Sequence, residues 1–142
     1  MKRLFLILVT VSGAALLFGA ETEDQTKARS DVLDLAGAFQ NDGFKIRDGT
    51  WFGQVSNGHS QTIQVNLYSG NAYWFSAADA ESSTGLTVSV FDDHGNPVEV
   101  QSYQKDNKAA AGFSPDASGL YYVEVSSSGP SATTFCLIYS YK

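Results

Sequence analysis

The stretch Gln61-Thr62-Ile63-Gln64-Val65-Asn66-Leu67, followed by Tyr68-Ser69-Gly70-Asn71 and then Ala72-Tyr73-Trp74-Phe75-Ser76-Ala77, decides the fold class. Ile63, Val65 and Leu67 recur at every second position, with Thr62, Gln64 and Asn66 between them. A strand sends successive side chains to opposite faces, so this period predicts a strand with one apolar face. Ser69-Gly70-Asn71 is turn chemistry, after which Tyr73, Phe75 and Ala77 resume the alternation. The pattern repeats outward along the chain. Leu86, Val88 and Val90 share a face, as do Tyr121, Val123 and Val125, and finally Phe135, Leu137, Tyr139 and Tyr141. Shorter candidates cover 51–55, 98–101 and 109–113. Turn-forming clusters separate all of these, for example Ser56-Asn57-Gly58 and Asp93-His94-Gly95-Asn96-Pro97. About seven or eight short strands at intervals of roughly ten residues predict an all-β antiparallel sandwich.

Upstream of the strands the period changes. Ala28, Val32, Leu35, Ala36 and Phe39 fall on one stripe of a helical wheel, predicting an amphipathic helix over 24–41. Asn41-Asp42-Gly43 ends it, with Gly43 as a left-handed cap and Phe44 folding back. Further upstream, Lys2 and Arg3 precede an apolar run that closes on Phe18-Gly19-Ala20 before the acidic Glu21, Glu23 and Asp24. This is the layout of a secretory signal peptide. The expected organisation is therefore a signal over 1–20, a helix within 21–43 and one β-sandwich domain over 44–142. The expected location is the bacterial periplasm or the extracellular space, without stable membrane insertion after cleavage.

Composition narrows the partners. The 142 residues carry nine Lys and Arg against 15 Asp and Glu, a net charge of −6. Loss of Lys2 and Arg3 with the signal leaves seven against 15, or −8. Nucleic acid is not an expected partner, because phosphate binding needs a basic face. The single Cys136 cannot form an intramolecular disulfide, and its setting Phe135-Cys136-Leu137-Ile138 marks it as a packing residue.

The opposite faces of the strands are not uniformly polar. Phe52, Trp74, Phe91, Tyr122 and Ile138 point away from the sandwich core by parity. The helix stripe ending in Phe39 needs an apolar seat, and this row offers one. An exposed row would instead stack sugar rings, with Trp74 as the principal contact and Phe52 or Tyr122 beside it.

Three segments, in order, carry a family resemblance. Gly53-Gln54-Val55-Ser56-Asn57-Gly58-His59-Ser60 leads into the strand to Leu67 and on to Gly70-Asn71-Ala72-Tyr73. Val88-Ser89-Val90-Phe91-Asp92-Asp93-His94-Gly95 follows. Ser118-Gly119-Leu120-Tyr121-Tyr122-Val123-Glu124-Val125 closes the set. The arrangement resembles the bacterial pre-peptidase C-terminal (PPC) domain and its stand-alone secreted relatives, over about residues 50–142. The resemblance implies a jelly-roll-like sandwich outside the cytoplasm, usually without catalysis of its own. Some relatives bind calcium or matrix polymers. Here the corresponding acidic stretch offers only Asp79 and Glu81, two carboxylates where calcium takes about six to eight oxygens. No cofactor or metal is therefore expected, and Asp79 and Glu81 are the weak calcium candidates.

No Gly-x-Ser-x-Gly or His-Glu-x-x-His motif is present. His59 and His94 both fall in expected turns, and nothing local assembles Ser60, His94 and Asp92 into a triad. Glu99 and Glu124 face outward by parity, unlike a glycosidase pair in an apolar pocket. The leading expectation is a secreted, non-catalytic module that binds an envelope or extracellular partner, a protein or a polysaccharide. A carbohydrate-binding module is the alternative, and a small secreted hydrolase the third reading.

Overall fold

A capping box starts the helix. Thr22 Oγ1 accepts a hydrogen bond from the Gln25 N–H at 3.1 Å, and the Thr22 N–H donates to Gln25 Oε1 at 3.0 Å. Two amides near the helix start, which have no intrahelical acceptor, are thereby satisfied. In the computed structural model α1 spans Glu23–Gln40. Gly43 takes a φ of 92°, and the Phe44 N–H donates back to Phe39 O at 3.3 Å. The Phe44 ring then meets the Phe39 ring edge to face, 6.4 Å between centroids. The structure describes residues 20–81 and 85–142. The expected signal segment, apart from residue 20, and positions 82–84 of the acidic stretch lie outside the described residues.

Nine strands follow among the described residues: β1 (Lys45–Ile46), β2 (Trp51–Val55), β3 (Gln61–Leu67), β4 (Tyr73–Asp79), β5 (Leu86–Phe91), β6 (Gln101–Lys105), β7 (Lys108–Phe113), β8 (Gly119–Ser127) and β9 (Thr133–Tyr141). The larger sheet runs β9-β4-β7-β6, with β1 and β2 end to end along the free side of β9. The smaller sheet is β3-β8-β5. All pairings are antiparallel. From β2 onward every connection except the β6–β7 turn crosses between the sheets, which makes the molecule a sandwich.

Alternation places the core. Leu67, Phe75, Leu86, Val123, Phe135 and Leu137 interdigitate between the sheets. On the other side of the larger sheet, Ala28, Val32 and Ala36 of α1 meet Ala78, Cys136 and Ile138. Phe52 and Ile46 flank this second cluster. The small side chains let helix and sheet approach closely, and Val32 and Ile138, fully buried, each contribute about 1.5–3 kcal/mol. The result is three layers: helix, six-stranded sheet, three-stranded sheet. No helix among the described residues is long and apolar enough to cross a membrane.

A polar clamp fixes the helix angle. Asn107, in the β6–β7 turn, donates through Nδ2 to Asp31 Oδ2 and to the Asp79 carbonyl, both at 2.7 Å. Lys27 Nζ approaches the same Asp31 oxygen at 2.7 Å. Burial alone would raise the Asp31 carboxyl. The hydrogen bonds from Lys27 and Asn107, with the charges of Lys27 and Lys108, outweigh it and hold the group below its ordinary value.

Two expectations change. The strand expected at 98–101 begins only at Gln101. The Val98 N–H donates to Val90 O at 3.0 Å and Pro97 bridges Phe91, so this segment is tied to the smaller sheet before it crosses. Val98 and Val100 alternate because they pack against the core during the crossing, not because they lie in a ladder. β1 was not anticipated, since two residues carry no period.

Candidate functional site

Pairing between β6 and β7 ends at Gln101↔Gly112. Beyond that pair the chains part, residues 97–100 toward β5 and residues 114–118 toward β8. The parting opens a groove of about 650 Å³. Trp74, Phe113, Tyr121, Val98 and Val100 are among its apolar lining residues. Asp92, Glu99 and Asp116 also line it, and none of its lining residues is Lys or Arg.

Each aromatic is held in place. Tyr121 packs edge to face on Phe113 at 5.3 Å, and its hydroxyl donates to the Ala117 carbonyl at 2.7 Å. That hydrogen bond pins the turn that forms one rim. Burial, and then the carboxylates of Asp116, Asp93 and Asp92, push the Tyr121 phenol above its ordinary value. Asp92 and Asp116 themselves line this end of the groove. Trp74 stacks on Phe39 at 4.2 Å with 11° between ring planes. Gly112 is required beside it, because a Cβ there would lie 2.9 Å from the indole carbons Cη2 and Cζ2.

Asp92 serves the turn after β5. Its Oδ1 accepts from the His94 N–H at 3.0 Å and the Asn96 N–H at 2.9 Å. The backbone hydrogen bond from Asn96, then that from His94, lowers its carboxyl despite some desolvation. His94 Nδ1 lies 2.7 Å from Asp93 Oδ1. Asp92, Asp93 and His94 form a compact cluster of possible metal-ligating groups. Their hydrogen bonds are those of the turn itself. Glu99 and Asp116 have no hydrogen-bond or ion-pair partner among the described residues.

With this geometry in hand, comparison with protein-family models and with curated proteins finds no match. The class the chain defines is therefore the one its own fold gives, a helix-backed antiparallel β-sandwich.

The sequence-derived candidates fall in separate places. Trp74 has one face covered by Phe39 and also lines the groove. Phe52 packs into the cluster beneath α1. Tyr122 lies on β8, on the outer face of the smaller sheet, opposite Gln64 and Phe91. The expected aromatic row is thus two rows. Phe52, Trp74 and Ile138 seat the helix, while Phe91 and Tyr122 belong to the other sheet, because parity fixes a face but not a sheet.

Asp79 is fully buried at the end of β4, on the core-facing side with Tyr73, Phe75 and Ala77, whereas Glu81 is exposed. Asp79 is thus a core-side residue and Glu81 a surface one. Ser60 precedes Gln61, which pairs with Val125, whereas His94 lies beyond Phe91, which pairs with Tyr122. At ~3.3 Å per residue, these two are set at opposite ends of the smaller sheet, about 20 Å apart. Glu124 lies on the outer face of that sheet. Cys136 is fully buried beneath α1, and burial, then the charge of Glu21, pushes its thiol up to about 12 despite Arg29.

Phe113, Tyr121, Glu99 and Asp116 were not foreseen as a site. The one sequence signal is Gly112-Phe113 followed by Ser114-Pro115, a strand end where the chain must leave its neighbour.

Proposed function

We propose that the protein is a non-catalytic binding module of the periplasm or extracellular space, a stand-alone relative in kind of the PPC domain, and that it binds its partner in the Trp74–Tyr121 groove. The groove carries this reading. It combines about 650 Å³ of concave space, rigidly held aromatic edges and two carboxylates without a hydrogen-bond or ion-pair partner among the described residues. Such a volume lies within the roughly 300–1,000 Å³ range of ligand sites. The N-terminal pattern of Lys2, Arg3 and the following apolar run supports export.

Calorimetric titration of the purified protein with a panel of soluble envelope glycans and synthetic peptides tests the reading. Binding by any member should be lost in Ala117→Trp, which fills the groove from an exposed position on its rim. Binding that survives this substitution moves the site elsewhere. Turnover of a panel member would make the protein an enzyme and refute the reading.

A further inference from the structure

We propose that the groove receives a basic segment of a partner protein, its Lys or Arg heads set against Glu99 and Asp116. This rests on the groove being the binding site.

Charge decides first. Three carboxylates line the groove and no basic residue does. Asp92 is committed to its turn, but Glu99 and Asp116 are exposed and hold nothing among the described residues. An anionic occupant would meet repulsion on entry, and a neutral one would leave this charge unused.

The aromatics agree. A guanidinium or ammonium gains from an aromatic face within about 6 Å, and its methylene stem gains from apolar walls. The half-buried Phe113 and Trp74 offer the rings, and Val98 and Val100 the walls. The margin of the groove already holds one such contact. Lys142 Nζ lies 4.6 Å from the centroid of the Phe44 ring and donates to the Asp42 carbonyl at 2.9 Å. Phe44 is itself a lining residue. That lysine also lines, with Asp116, the smaller cavity beside the groove, but it forms no ion pair with Asp116 or Glu99 among the described residues.

Size decides between a free amine and a chain. Pockets of this volume bury ligands of drug size, several times one side-chain head. A short stretch of polypeptide fills the space and supplies more than one positive charge.

Fluorescence anisotropy of a labelled hexapeptide with three arginines tests this. The control is the same peptide with three citrullines, which keep the shape without the charge. The arginine peptide should bind and the citrulline peptide should not. Glu99→Gln with Asp116→Asn should weaken binding by about tenfold, equivalent to about 1.4 kcal/mol. Asp24→Asn with Asp34→Asn, an equal charge change on the exposed helix surface, should alter it by less than about twofold. Both pairs are exposed, so folding is not at stake. Equal weakening by both pairs would show attraction to net charge and overturn the proposal. So would citrulline binding, or spermidine displacing the peptide at equal charge concentration. Neutral oligosaccharide binding that Ala117→Trp abolishes, with no arginine binding, would overturn this inference and leave the binding-module reading intact. Failure of every probe would count against both.

Discussion

Ser76 and Ser140 sit beneath α1 on the outer faces of β4 and β9, and both are fully buried. Neither hydroxyl has a hydrogen-bond partner among the described residues. Leaving a buried hydroxyl unpaired costs about 1–3 kcal/mol. Alanine keeps the Cβ and removes only the oxygen, so the penalty goes while the lost dispersion contacts offset part of the gain. Ser76→Ala and Ser140→Ala should each stabilise the protein by about 1 kcal/mol. That corresponds to a rise in Tm of about 3–5 °C for a chain of this size. Ser76 pairs with Ile138 and Ser140 with Trp74, making the serines diagonal neighbours across two strands. The double variant should therefore gain about 1.5–2 kcal/mol, with some coupling between the sites. Urea unfolding, followed by tryptophan emission and far-ultraviolet circular dichroism, measures this at constant m value. Ser102→Ala on the exposed strand β6 is the control and should stay within about 0.5 kcal/mol. Destabilisation by about 1 kcal/mol at either buried serine would refute the reasoning. The hydroxyls would then be holding helix to sheet rather than merely tolerated beneath it.

Other consequences are equally direct. Asp31 is held below its ordinary value, so its contribution to stability is fully present above the unfolded carboxylate range near pH ~4. It is lost as pH falls through the folded value, and Asp31→Asn should flatten this acid limb in Tm-against-pH scans. Gly112→Ala forces the indole of Trp74 to move and should cost about 1–3 kcal/mol by overpacking, with a shift in tryptophan emission. Cys136 should resist thiol reagents in the folded protein at pH 8 and react only as fast as the chain opens. Labelling at the rate of an exposed thiol would show that α1 does not stay seated.

Much of the fold was legible because it is written in local periods. Ile63, Val65 and Leu67 all face the sandwich interior as their spacing implies, and Ala28, Val32 and Ala36 all face the sheet. The helix boundary moved by one residue because the capping box at Thr22 and Gln25 was not read. The groove was not legible. It exists because residues 97–100 and 114–118 leave a common ladder for different strands, and neither segment announces the other. Glu99 looks like an outward strand residue until the ladder is seen to begin two positions later.

Sequence alone therefore determined the kinds of element, their inward faces and the packing role of Cys136. Side-chain direction along a strand or helix is set by neighbours a few bonds away. The tertiary structure alone decided which strands share a sheet, and through that which aromatics meet. Trp74 and Phe52 went under the helix and Tyr122 to the far sheet, although all three carry the same parity signal. Sheet membership is settled by pairing between residues tens of positions apart, such as Trp74 with Ser140, and by the burial that the whole set gains together.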